Sequence, residues 1–185
     1  QGPTSTLFET RYQERLPFVN HLPIQYVISI LKTECEMLNT IGYESADLED
    51  FVHTLKAAKI ETLVDIRDRA QSRRKGFSKS ALAGRLAQDG INYIHMRELG
   101  DPKEGRDAAR AGNWAKFRKV FNAVLETDEA KDAIETITKL AKRQNTCLLC
   151  DEKTCHRKIV SEIIEVKLKR KTRHLGVRQF EREAA

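Results

Sequence analysis

The chain has 185 residues, which suits one domain with appendages and is too short for two full domains. A composition of 40% hydrophobic and 32% charged residues, with mean hydropathy −0.54, argues against a low-complexity chain, and no apolar run approaches the ~20 residues of a membrane helix. The net charge of +6 and pI near 9.2 favour an anionic partner without selecting one.

Cys147, Cys150 and Cys155 share one short segment and Cys35 is remote. That is not the spacing of a secreted disulfide framework, and no charged-then-apolar segment opens the sequence, so reduced thiols in a cytoplasmic setting are expected.

Residues 1–37 carry Phe18, Leu22, Ile24, Val27, Ile30 and Leu31, broken by Pro17 and Pro23, which predicts a helical extension of one or two short helices. The main domain is predicted over residues 38–166. Leu38–Ile41 reads as a strand ending at Gly42, followed by a helix with Leu48, Phe51, Val52 and Leu55. Glu61–Ile66 is a second strand. Ser78 caps a helix carrying Ala81, Leu82 and Leu86 that Gly90 closes. Ile91–His95 is a third strand. A long loop through Gly100, Pro102, Gly105 and Gly112 then leads to helices around Trp114–Leu125 and Ala133–Leu140. Thr146–Cys150 is the fourth strand, and its helix holds Ile159, Val160, Ile163 and Ile164.

Strands alternating with helices predict an α/β fold: a three-layer sandwich around a mainly parallel sheet of four to five strands. Residues 167–185 form a basic C-terminal tail, read as a helix extension or an arm.

In such a sheet all strands end on one rim, where ligands bind. Gly42 and Tyr43, Asp65 and Arg67, and the stretch Cys150–Arg157 should meet there. Asp65 leaves an apolar strand, so two roles stand level: a partly desolvated acid or base, and an ion pair with Arg67. The run Ser72-Arg73-Arg74-Lys75-Gly76-Phe77 offers guanidinium forks for phosphate, with a glycine allowing backbone approach. Glu152 can face Asp65 as the second carboxylate of an acid–base pair. Arg157, in the first helical turn, would add positive charge to the amide ends.

Zinc is disfavoured, because Cys147 and Cys150 point to opposite faces of a strand and adjacent Cys155 and His156 are awkward paired ligands. Cys155, beside His156 and Arg157, fits an activated thiol or a structural residue near a cap.

Several motifs form an ordered series: Thr40-Ile41-Gly42-Tyr43, Leu63-Val64-Asp65-Ile66-Arg67, Ser72-Arg73 with Phe77, and Gly90-Ile91-Asn92-Tyr93. Glu98-Leu99-Gly100 and Leu148-Leu149-Cys150 through Cys155-His156-Arg157 complete it. Together they resemble the family of domain of unknown function 488, over about residues 38–166. The resemblance implies an intracellular α/β domain whose shared polar residues are Asp65, Arg67, Ser72, Arg73, Glu152, Cys155, His156 and Arg157, and it brings no settled activity. The chain departs from that pattern at Ala70–Gln71, where proline is common, at Asp101, where glycine is common, and at Asp151, where an apolar residue is usual. A likeness to sulfurtransferases of the rhodanese type is analogy only, since Cys150 to Arg157 lacks the glycines of the related phosphatase loop.

The leading expectation is a hydrolytic enzyme acting on a phosphate-bearing small molecule or nucleic acid, with no cofactor and no metal. Asp65 and Glu152 would do acid–base work, and Arg67, Arg73 and Arg157, with Ser72, His156, Gly42 and Tyr43, would hold the anion. Asp65→Asn would then abolish turnover with little change in melting temperature. The alternatives are a thiol enzyme or redox sensor using Cys155, and a non-catalytic nucleic-acid-binding or regulatory module. The latter would grip through Lys169, Arg170, Lys171 and Arg173, with Trp114 or Phe77 stacking on bases. Sequence leaves the oligomeric state open.

Overall fold

The structure, a computed structural model, describes residues 37–151 and 156–180. The predicted N-terminal helices, Glu152 and Cys155 lie outside the described residues. The four segments read as strands form β1 (Leu38–Gly42), β2 (Thr62–Asp65), β3 (Asn92–His95) and β4 (Thr146–Cys150). A fifth strand, β5 (Arg173–Leu175), lies in the basic C-terminal segment. Every pairing is parallel, in the order β3-β2-β4-β1-β5.

The helices are α1 (Leu48–Ala57), α2 (Lys79–Gln88), α3 (Lys103–Arg110), α4 (Trp114–Leu125), α5 (Asp128–Ala141) and α6 (His156–Leu168). Successive strand residues point to opposite faces, so the strands feed two cores. Leu63, Cys147 and Leu149 pack with Phe51, Val52 and Leu55 of α1 and Leu82 and Leu86 of α2. Val64 and Leu148 pack with Phe121 of α4, Ile134 and Ile137 of α5, and Val160 and Ile164 of α6. This is the predicted three-layer α/β sandwich, and strands buried on both faces explain their near-continuous apolar runs.

The topology points to a candidate site. After β1 and β2 the chain crosses to the α1/α2 face, whereas after β4 it crosses to the α6 face. Chains leaving in opposite directions on either side of β4 open a crevice at the carboxyl ends of the strands.

Two segments differ from the sequence reading. The loop expected after Gly100 contains α3, with Pro102 as its N-cap. Gly105, read as a loop signal, lies inside that helix because a Cβ there would sit 2.0 Å from Asp101 Oδ1.

The basic tail continues α6 only to Leu168, and beyond it, through residue 180, it is neither helix nor arm. Its strand β5 covers the outer edge of β1, and Thr40 Oγ1 hydrogen-bonds His174 Nδ1 at 2.8 Å. The amide of Arg178 then donates to Thr54 Oγ1 (3.1 Å), and the ring of Phe180 meets that of His53. An uncovered β1 would expose a row of unpaired backbone groups, and the tail removes that edge.

Candidate active-site crevice

Asp65 is the last residue of β2, and the sheet closes over it completely, leaving it 0% exposed. Its carboxylate is engaged by the guanidinium of Arg67, with Nε donating to Oδ1 at 2.8 Å and Nη2 to Oδ2 at 2.5 Å. The Arg67 amide (3.1 Å) and the Tyr93 hydroxyl (2.5 Å) donate to the same carboxylate. Of the two roles open to Asp65, the ion pair is the one formed. Arg67 also donates to Tyr43 Oη (2.9 Å) and to the Phe77 carbonyl (3.0 Å). Burial opposes its charge, but the bonds to Asp65 and Tyr43 outweigh that and raise its pKa. Burial, then the bond to Asp65, likewise raises the Tyr93 hydroxyl.

This network fixes the entrance to the β2 loop. Tyr43 stacks on Phe77 with ring centroids 4.5 Å apart. Phe77 is therefore core, at 1% exposure, and does not offer the base-stacking face expected of it. Gly76 has φ +88, and a Cβ there would lie 2.3 Å from Leu48 Cδ2. Backbone conformation and packing against α1 account for that glycine, where sequence suggested approach to an anion. Within the same loop Ser72 Oγ accepts from the Arg74 amide, and Arg74 Nη1 donates to the Ala46 carbonyl.

The crevice predicted from topology is present, with a volume of about 210 Å³. Tyr43 lines it from the β1 exit, Arg67, Asp68, Arg69 and Gln71 from the β2 exit, and Cys150, Asp151 and His156 from β4 and α6. The stretches after β2 and β4, distant in sequence, therefore share one hollow. Asp101, Arg106, Ala109 and Arg110, around and within α3, and Phe117 of α4 complete the wall.

Arg69 and Arg110 are exposed. Arg106 donates to Asp68 Oδ2 (3.1 Å) and to the Asp101 carbonyl. Burial tends to raise the Asp68 carboxyl, but the hydrogen bonds and charges of Arg106 and Arg97 hold it below its ordinary value. The Asp68 backbone passes so close to Gly100 that a Cβ there would meet Asp68 Cα at 2.3 Å, which explains the glycine of Glu98-Leu99-Gly100.

Asp151 follows β4 at the rim, its carbonyl accepting from the Glu44 amide at 3.0 Å. Although the residue reaches solvent, desolvation by the crevice wall raises its carboxyl above the usual range. A hydrogen bond with Tyr43 opposes this shift, and the neighbouring Cys150 reinforces it.

His156 opens the described part of α6 and is 5% exposed. Its Nε2–H donates to the Ile66 carbonyl at 3.0 Å, and its Nδ1 faces Cys150 Sγ at 3.8 Å. Burial alone would lower its pKa; the Cys150 sulfur, the Ile66 carbonyl and Asp101 more than compensate, and the net shift is upward. Cys147, pointing to the other layer, is fully buried, and burial pushes its thiol well up.

Other expected site residues do not line the hollow themselves. Gly42 ends β1, beside Cys150 in register. Ser72, Arg73 and Arg157 do not line the cavity; Arg73 is exposed, whereas Arg157 is buried. Lys169, Arg170, Lys171 and Arg173 are exposed. Arg173 pairs in register with Asn39 near the start of β1, so this basic group sits at the amino end of the sheet, opposite the crevice. Trp114 is exposed and meets Phe117 edge-on.

A family model described as domain of unknown function DUF488 matches residues 47–164, well over half of the chain. The chain belongs to the DUF488 family. No curated protein and no solved structure matches it. Within the matched stretch lie the segments Leu63–Arg67, Glu98–Gly100 and Cys150–Arg157 that carried the sequence resemblance; Thr40–Tyr43 precedes it. In this DUF488 chain, no helix among the described residues is long and apolar enough to cross a membrane.

Sequence reasoning missed Asp101, Arg106 and Arg110 of the cavity wall because it read their segment as a loop. Arg106 and Arg110 are spaced i, i+4, so a helical reading would have placed them on one face. Asp101 and Asp151, noted in the sequence only as departures from the family pattern, both line the crevice.

Proposed function

We propose that this DUF488 protein is an enzyme that hydrolyses a phosphoester, on a nucleotide or at the end of a nucleic acid, in the crevice beside β4. The observation that carries the reading is the convergence of guanidinium groups with the Asp151 carboxylate at the topological switch of a parallel sheet. Arg69, Arg106 and Arg110 present forks suited to phosphate oxygens. Asp151, whose carboxyl is raised by desolvation, is suited to deliver a proton to a leaving oxygen. The Asp65–Arg67 pair acts as the frame of this site rather than as its reactive group. Glu152 as a second carboxylate is proposed from its sequence position alone.

The volume limits the substrate. About 210 Å³ is below the ~300 Å³ typical of pockets that enclose drug-sized ligands, so one phosphate and its attached group fit, not an oligonucleotide. The basic group at the amino end of the sheet is too far round the molecule to hold that same phosphate, which disfavours one continuous nucleic-acid track between the two.

Titration calorimetry with inorganic phosphate and with a nucleoside monophosphate tests the binding step. Saturable binding that weakens with salt is expected, and it should be lost in Arg69→Ala/Arg110→Ala, whose exposed side chains leave stability unchanged. Absence of binding to either anion at low salt would remove the reading.

A further inference from the structure

We propose that Cys150 is the nucleophile of this crevice and that His156 is the base that activates it, an inference resting on the phosphoester reading above. Cys150 is the last residue of β4, at the rim where the chain turns toward α6. It faces the cavity while Cys147 faces the opposite core. A cysteine in this position would be unremarkable by itself. Here, however, a second buried group is aimed at it.

His156 is held on two sides. Its Nε2–H is spent on the Ile66 carbonyl at 3.0 Å, and its ring lies against Phe121 with centroids 5.1 Å apart. That arrangement leaves Nδ1 as the only ring nitrogen able to take a proton, and Nδ1 is 3.8 Å from Cys150 Sγ. A nucleophile within reach of a base, whose far nitrogen is fixed by a third group, is the geometry of thiol catalysis. The Cys150 sulfur and the Ile66 carbonyl support the protonated ring, and Asp101, on the loop before α3, adds to them. The thiol, the imidazole and the anion-holding arginines open on the same small cavity.

The chemistry balances without an added reactant. Cys150 gives its proton to His156 Nδ1, and the thiolate attacks phosphorus of a bound phosphomonoester. The S–P bond forms as the P–O bond to the leaving group breaks, and that oxygen takes the proton of Asp151. Water then attacks phosphorus, the S–P bond breaks, and Asp151 recovers a proton from the water. The products are an alcohol and inorganic phosphate, and the sulfur returns as thiolate beside His156, which keeps the first proton on Nδ1 so that the next turnover starts from this ion pair.

Two measurements on the full chain test this. In the first, p-nitrophenyl phosphate is mixed with the protein, quenched in acid, and the tryptic peptides are weighed. A phosphate adduct is expected on Cys150, absent in Cys150→Ser, with phosphate binding retained in that variant. The second needs no thiol variant: iodoacetamide labels the unmodified chain, and peptide mapping compares the cysteines. Lys153 separates Cys150 from Cys155, and fragmentation separates Cys150 from Cys147.

Cys150 should label first, be protected by inorganic phosphate, and slow by about tenfold or more in His156→Gln. Labelling of Cys150 no faster than Cys147, or undiminished hydrolysis by Cys150→Ser, overturns the nucleophile while phosphate binding leaves the crevice reading intact. Rapid labelling without phosphate binding or protection would instead overturn the phosphoester reading and this inference with it.

Discussion

Asp65→Asn separates framework from chemistry in this site. The Asp65 carboxylate is fully buried and receives the Arg67 side chain, the Arg67 amide and the Tyr93 hydroxyl. Asparagine offers a single acceptor oxygen and no charge, so the 5%-exposed Arg67 guanidinium would be left buried without its counter-ion. Breaking a buried pair by neutralising one partner costs about 3–5 kcal/mol. For a chain of this length each kcal/mol lowers the melting temperature by about 2–4 °C, so a fall of roughly 6–20 °C is expected. Thermal melting followed by far-ultraviolet circular dichroism, repeated with urea, would measure it. Sequence alone predicted little change in melting temperature for this variant; burial reverses that expectation. The double variant Asp65→Leu/Arg67→Met removes both charges and should recover much of the loss, because a hydrophobic replacement of a buried pair is often close to neutral. A single variant melting within about 3 °C of the parent would show that the pair contributes little and that the site does not depend on it.

Four further outcomes follow from named contacts. Asp151→Asn should suppress turnover of a chromogenic phosphomonoester by about 10²-fold or more. It should leave the melting temperature at neutral pH equal or slightly higher, because a carboxyl whose pKa rises on folding penalises the folded state once ionised. Gly100→Ala, forcing a Cβ against the Asp68 backbone, should cost about 1–3 kcal/mol in urea denaturation and weaken phosphate binding through the displaced β2 loop. His156 has its pKa raised in the fold, so its stabilising contribution is complete below the unfolded value of about 6.5 and is lost as pH rises through the folded value. The melting-temperature gap between the parent and His156→Gln should accordingly be largest near pH 6 and shrink as pH rises, and a gap independent of pH would contradict the charged form. Truncation after Leu168 strips β5 from β1 and removes the His174 partner of Thr40; light scattering should report self-association through the opened edge.

The local pattern of the chain was sufficient for the architecture. Leu63-Val64, Cys147-Leu148-Leu149 and the helical spacing of Phe51, Val52 and Leu55 specify strands covered on both faces, since burial on two sides demands unbroken apolar runs. It was also sufficient to place a crevice at the strand exits, because in a parallel sheet every strand exit shares one rim. What it could not set was which groups on that rim have charge and hydrogen-bonding capacity to spare. Asp65 and Arg67, two residues apart, satisfy each other, whereas the Asp151 carboxyl is raised by burial in the assembled crevice and His156 by the Cys150 sulfur, the Ile66 carbonyl and Asp101, which only the fold brings to it. The same holds for α3 itself, hidden behind Pro102 and Gly105 until contact with Asp101 supplies the reason for the glycine, and for the basic tail, which becomes a strand because β1 has an open edge. Periodicity reports which face of an element is buried. Pairing between distant side chains depends on distances that only the assembled sheet provides.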